Sequence, residues 1–177
     1  MMIYTETTPN PDAIKFIPTV PVTTGGTIDV RSHQHTHNIH LLNELFNIPE
    51  IIGVYLGSDF VTITKDAGSW DDIRSAIIGI IAENLSEPID LSLNSNQPSS
   101  TNSNTVNQIL ELLDQRIRPA VANDGGDIVF KDYTDGIVYL ELQGSCSGCP
   151  SSTATLRYGV ENLIKHYIPE VLEVRSI

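Results

Sequence analysis

Cysteine is the scarcest chemically informative residue in this chain: only Cys146 and Cys149 occur. Two thiols three positions apart cannot staple a small secreted fold, but they suit metal or redox chemistry in a reducing compartment. Basic side chains are also few. Ten Lys and Arg face 22 Asp and Glu, a formal charge of -12, which would repel a phosphate backbone, so nucleic acid is not an expected partner. Acidity of this size favours partners with basic docking surfaces, although its plainer role is to keep a protein soluble.

Long apolar runs are missing too. The richest stretch, Ile73 to Leu85, is interrupted by polar and small residues and falls short of the ~20 residues that cross a bilayer, so no membrane association is expected. Residues 1–11 show neither the basic-then-apolar layout of a secretory signal nor the Arg-rich layout of a transit peptide. The chain as written is expected to stay where it is made, in the cytoplasm, unless a transit peptide has been removed. No Ser/His/Asp or paired-carboxylate set stands out with a physical reason to catalyse anything, so the chain is not expected to be an enzyme.

The apolar share is 40%, enough for buried cores. Residues 94–104 read NSNQPSSTNSN, which carries no apolar side chain but the ring of Pro98 and cannot offset its own ordering entropy. This segment is expected to be a flexible linker between a domain at 1–93 and a second at 105–177. The expected class is α+β, two small α/β-layer domains.

In the first domain, Ala13 to Ile17 lie between prolines and suggest a strand, with Thr27 to Val30 as a short partner. His40 to Phe46 looks helical, and Ile51–Leu56 and Phe60–Lys65 flank a Gly57-Ser58-Asp59 hairpin turn. Ser69 and Asp72 form a capping box ahead of Ile73, Ile77, Ile80, Ile81 and Leu85, which share a helical face; residues 89–93 suggest a last strand. Trp70 reads as a packing residue of core or rim.

In the second domain Thr105 and Gln108 read as a capping box, and Val106, Ile109, Leu110, Leu113 and Ile117 as the stripe of one helix. Asp124-Gly125-Gly126 breaks the chain, and Ile128 and Phe130, then Val138, Leu140 and Leu142, alternate around Asp135-Gly136 as a hairpin. A helix from about Ser152 would bury Leu156, Val160, Leu163, Ile164 and Tyr167, and residues 171–174 would close an αββαβ layer. Asp124 and Asp127 have the wrong spacing for an EF-hand and read as the start of the hairpin.

Gly144-Ser145-Cys146-Ser147-Gly148-Cys149-Pro150 places both thiols between a strand end and a helix start. Unpaired N–H groups and the positive end of the helix dipole favour the thiolate, the form that binds metal or attacks disulfides. Gly144 and Gly148 let backbone wrap closely, and Pro150 suits the first helical turn. A C-x-x-C pair alone fits an iron-sulfur cluster, zinc or thiol–disulfide exchange. A cubane cluster needs about four thiolates and tetrahedral zinc about four ligands, so two chains must share one centre unless a small thiol or other residues complete it.

The runs RPAVANDGGDIVF and DGIVYLELQGSCSGCPSSTATLRYGVENLIKHYIPEV closely resemble the C-terminal domain of the NifU-like (Nfu) iron-sulfur scaffold family, over Val106 to Val174. TETTPNPDAIKFIP and LFNIPEIIGVYLGSDFVTITK resemble the N-terminal domain that accompanies it in bacterial and mitochondrial Nfu proteins. The resemblance implies that Cys146 and Cys149 ligate a [4Fe-4S] cluster shared between two chains, with a homodimer when loaded, and that cluster donors and recipient apo-proteins are the partners. The assembly and ferredoxin-type domains of longer NifU proteins are missing, which implies carriage of a finished cluster more than assembly of a new one.

One departure is RSHQHTHNIH at 31–40, in place of the Ser- and Ala-rich run the family suggests. His33, His35, His37 and His40 could bind a divalent cation, but an exposed polar loop is the simpler reading. His166, near the end of the last helix, suits the helix dipole there. Two rival functions follow from the same thiols. A thiol–disulfide oxidoreductase would use Cys146 as nucleophile and Cys149 as resolving thiol, but the βαβ lead-in of a thioredoxin fold is missing; a zinc-bridged structural dimer is the other.

Overall fold

The computed structural model describes residues 1–92, 103–148 and 150–177, with the backbone alone described at 150–153 and 155. It divides into two compact units, Met1–Ser95 and Asn96–Ile177. Most of the expected linker lies outside the described residues.

Among the described residues the first unit holds a five-stranded sheet, two α-helices and a short 3-10 turn at His33–His35. Its strands are β1 (Ile3–Thr7), β2 (Ala13–Pro18), β4 (Ile28–Val30), β5 (Ile51–Leu56) and β6 (Val61–Lys65), in the order β1-β2-β6-β5-β4, with every neighbouring pair antiparallel. Helices α1 (His40–Phe46) and α2 (Trp70–Asn84) bury Leu41, Leu42, Leu45, Ile73, Ile77 and Ile81 in one core with Phe16, Val54 and Ile63 of the sheet. Ser69 caps α2 by accepting from the Asp71 N–H at 3.3 Å. A small parallel pair, β3 (Thr23–Thr24) with β7 (Ile89–Asp90), ties the end of this unit back to its start.

Several strand expectations need correction. The 27–30 segment forms a strand but pairs with β5, not with β2. Both edges of β2 are occupied, by β1 and β6, and the pairs Ile28–Leu56 and Val30–Val54 put the apolar side of β4 on the core face. Strand β1 was not anticipated because Tyr4 through Thr7 are exposed, leaving almost no apolar alternation to read. Ile80 is only partly buried, beside the fully buried Ile77 and Ile81.

The second unit follows the expected αββαβ order. Its first helical stretch runs through α3 (Asn104–Leu112), a π-turn at Leu113–Ile117 and α4 (Arg118–Asn123). Ser103, not Thr105, caps α3, accepting from the Val106 N–H at 3.2 Å; the Thr105 hydroxyl instead donates to Glu170 Oε2 at 2.6 Å. The π-turn has a cause in sequence. Pro119 has no N–H, and its ring would press on the carbonyl four residues back, so the helix widens just before it and the Arg118 N–H bonds to the Leu113 carbonyl.

Strands β8 (Gly126–Thr134) and β9 (Ile137–Gly144) form an antiparallel hairpin, and β10 (Glu173–Ser176) pairs parallel to β9, giving the order β10-β9-β8. Asp135 at φ 53° and Gly136 at φ 80° make the two-residue turn, a left-handed pair that matches the twist of its strands. Helix α5 (Pro150–Tyr167) connects β9 to β10. It starts at Pro150 rather than Ser152, and its buried stripe is Val160, Ile164 and then Ile168, while Tyr167 is 50% exposed. A spacing of four keeps Ile168 in line, whereas Tyr167 falls a step round the helix. Pairing of β10 begins at Glu173 because the Val171 N–H still closes the helix end on the Ile168 carbonyl at 3.0 Å. No described helix is long and apolar enough to cross a membrane.

Candidate functional site

Strand β9 ends at Gly144, whose φ of +63° takes the chain out of the sheet. A tight turn follows, with the Ser147 N–H on the Gly144 carbonyl at 3.2 Å, and α5 begins two residues past Gly148. This turn is clasped to the start of β8. The Ser145 N–H donates to the Gly125 carbonyl at 3.1 Å, and the Ser145 hydroxyl donates to the Asp124 carbonyl. A side chain at position 144 would meet that Gly125 oxygen at 2.5 Å, so the two glycine-rich segments touch backbone to backbone.

Cys146 is 7% exposed and belongs to the core cluster of this unit, which also holds Val106, Ile109, Ile128 and Ile164. Its sulfur lies above Gly126, at 2.3 Å from where a Cβ on that glycine would stand. Cys149, the second expected ligand, lies outside the described residues, so the geometry of the pair rests on Cys146 and on the backbone that leads into α5.

Beneath the glycines is an ion pair that sequence reasoning did not find. Arg118 grips Asp127 with both arms of its fork, Nε to Oδ1 at 2.9 Å and Nη2 to Oδ2 at 3.0 Å, and its Nη1 reaches Asp114 Oδ1 at 3.0 Å. Asp127 also accepts from the Ile128 N–H at 2.8 Å, and only 6% of its side chain is exposed. Hydrogen bonding to Asp127 holds the Arg118 guanidinium protonated well above its ordinary value, against the opposing effect of burial. Asp127 is therefore the anchored end of β8, not merely the start of a hairpin. The signal for it was the Arg-Pro pair at 118–119, since the proline widens the helix and a buried acid nine positions on needs a cation.

The histidine segment does not gather. His33 meets Phe46 edge-on with centroids 6.4 Å apart, and His40 Nδ1 lies 3.9 Å from Glu44 Oε1 on its own helix. Among the described residues no group of three or more His, Cys, Asp or Glu side chains could hold a metal ion. His166 sits in the last turn of α5 as expected. Trp70 packs at the rim of the first core and donates from Nε1 to the Pro11 carbonyl at 3.2 Å.

Comparison with known proteins bears on both units. A family described as NifU-like domain matches residues 109–175, and one described as scaffold protein Nfu/NifU N terminal matches residues 3–88. The NFU1 iron-sulfur cluster scaffold homolog, mitochondrial, of Drosophila erecta is 43% identical over 185 residues, covering 100% of this chain and 65% of that protein. The protein of the same name from Drosophila ananassae is 42% identical over 184 residues, with 100% and 64% covered. The chain thus spans a little less than two thirds of the length of these relatives. Among solved structures, the solution structure of a NifU-like protein from Saccharomyces cerevisiae is similar at 31% identity and a TM-score of 0.45, over 51% of this chain and 82% of that one.

Proposed function

The chain belongs to the Nfu/NifU family of iron-sulfur cluster scaffold proteins, and on that premise we propose that it carries a [4Fe-4S] cluster on Cys146 and Cys149, shared with the same pair from a second copy, and delivers it to apo-proteins. The observation that supports this most is the loop itself. A tight Gly144–Ser147 turn around Cys146, fastened to the carbonyls of Asp124 and Gly125, is followed by the N-terminus of an 18-residue helix, and Cys149 immediately precedes that helix in the sequence. Two thiols are half of the thiolate set a cubane needs, so a twofold partner is the simplest source of the rest.

Delivery is then ligand exchange without net redox change. Each iron–sulfur bond to Cys146 or Cys149 is replaced by one to a recipient thiol, and the proton of the incoming thiol passes to the departing thiolate. The N-terminal unit recognises donor or recipient proteins, and the protein acts as a carrier and not as a catalyst. A reducing compartment is required, the mitochondrial matrix by analogy with the relatives' names or the cytoplasm of a bacterium.

Anaerobic reconstitution with iron and sulfide, followed by iron and sulfide assays, Mössbauer spectra and light scattering, tests the proposal. The expected product is a dimer with about four irons and four sulfides per two chains. Cys146→Ser or Cys149→Ser abolishes loading while circular dichroism stays native. Iron bound to a monomer without added thiol, or zinc as the only metal of protein purified without oxygen, would refute the shared cluster. Insulin reduction abolished by Cys146→Ser would point instead to thiol–disulfide exchange.

A further inference from the structure

The glycines around the cysteine loop fall into two kinds. Gly125 at φ +77°, Gly144 at +63° and Gly148 at +77° occupy the left-handed region, where their backbone conformation alone calls for glycine. Gly126 does not. It lies in β8 with a backbone that any residue adopts, yet a Cβ there would stand 2.3 Å from Cys146 Sγ, 3.1 Å from Cys146 Cβ and 3.1 Å from the Gln143 carbonyl. What Gly126 provides is therefore space, and the atom that fills the space is the Cys146 sulfur.

We propose that Gly126 is a positioning residue that seats the Cys146 thiol in the metal-free chain, so that the sulfur must turn off this seat before it can bind iron. The proposal rests on Cys146 being a cluster ligand. At 7% exposure Cys146 cannot meet a centre shared with a second chain while it stays on the glycine. The walls of the seat are fixed. Ser145 is bonded to the carbonyls of Asp124 and Gly125 on one side, and on the other the Arg118 fork holds Asp127, the residue after the seat. With the backbone held, the motion left to Cys146 is rotation about Cα–Cβ, which moves Sγ and leaves Cβ where it is. A seated thiol is shielded from oxidants and other thiols, and a short rotation makes it available.

The test is thiol labelling of the full-length, metal-free chain with a disulfide reagent, in single-thiol forms made with Cys149→Ala or Cys146→Ala. Cys146 is expected to label at least about tenfold more slowly in the folded chain than in urea. Gly126→Ala puts a methyl on the seat, and because crowding of this kind costs enough to change a rotamer population, Cys146 labelling should rise by at least about tenfold. Labelling of Cys149 in the Cys146→Ala chain should not respond to Gly126→Ala. Equal rates for folded and unfolded Cys146 would overturn the seat without any variant, as would an unchanged rate in Gly126→Ala or an equal rise at both cysteines. No iron is present in these measurements. A chain that takes up no cluster yet passes them would sink the cluster reading alone, and a chain that loads normally yet fails them would sink the seat alone.

Discussion

Replacing Arg118 by Met is the sharpest test of the ion pair under the cysteine loop. The substitution keeps much of the aliphatic stem and removes the fork, so an Asp127 side chain that is 6% exposed loses the guanidinium that faces it. Two charge-assisted hydrogen bonds, at 2.9 and 3.0 Å, are lost. Bonds to charged groups contribute about 1.5–3 kcal/mol each, and stripping one partner from a fully buried pair costs about 3–5 kcal/mol. The Arg118 side chain is 40% exposed, so water can enter where the guanidinium was, and the cost should fall to about 2–3 kcal/mol. The third bond, to Asp114 with 63% of its side chain exposed, should be worth no more than about 0.5 kcal/mol, so Asp114→Asn is the control. In urea unfolding of the full chain the fluorescence of the sole tryptophan, Trp70, reports on the first unit. Tryptophan fluorescence should show an unchanged midpoint in Arg118→Met while the part of the far-UV signal that belongs to the second unit melts earlier. A second-unit midpoint within error of the parent would refute the assignment of Arg118 and Asp127 as a strut.

Other perturbations probe the same unit. Glu161 accepts from Lys165 Nζ at 2.7 Å and from the Val174 N–H at 3.1 Å, which hold its carboxyl below the ordinary value of 4.5. The stability it contributes is complete above that value and is lost as pH falls through the lower folded one, so Glu161→Gln should flatten the acid side of a melting-temperature profile measured from pH 6 to pH 3. Gly136→Ala forces a φ of 80° on a residue with a side chain and drives its Cβ to 2.9 Å from the Leu172 side chain; thermal unfolding should show a loss of about 1–2 kcal/mol. Ile168→Ala should cost about 2–4 kcal/mol, whereas Tyr167→Ala, which forfeits an edge-on contact with the His166 ring at 5.1 Å and one with the Arg116 guanidinium at 5.7 Å on an exposed side chain, should cost about 1 kcal/mol or less.

The elements that sequence pattern located were those whose cause is local. Helix α1 at His40–Phe46 and strands β5 and β8 have their apolar periodicity, caps or turn residues within a few positions, so the pattern carried its own boundaries. What escaped was set by neighbours distant in the chain. The pairing of β4 with β5 depends on which edges β1 and β6 had already taken, and the exposed side chains of β1 show no alternation. Tyr167 is nearly in phase with the expected stripe, yet one residue of drift gives that place to Ile168, just past the end of α5.

The candidate loop divides in the same way. Cysteine spacing, flanking glycines and a helix start are contiguous, and they were enough to single out Cys146 and Cys149. The support around Cys146 is assembled from three separated pieces, Arg118, the Asp124–Asp127 segment and Ser145. Gly125 and Gly126 stand side by side and look alike in the sequence, yet one turns the chain at a positive φ while the other makes room for a sulfur twenty residues away. The two roles respond differently to the same substitution. At Gly125 an added methyl is strained whatever surrounds it, while at Gly126 the tightest approach is to the Cys146 sulfur and goes with it. Gly126→Ala should therefore destabilise the parent chain by about 1–3 kcal/mol and the Cys146→Ala chain by clearly less, since removing Sγ leaves the position-146 Cβ and the Gln143 carbonyl, each at 3.1 Å, as the nearest atoms. Equal costs in the two backgrounds would mean that the sulfur is not what the glycine accommodates.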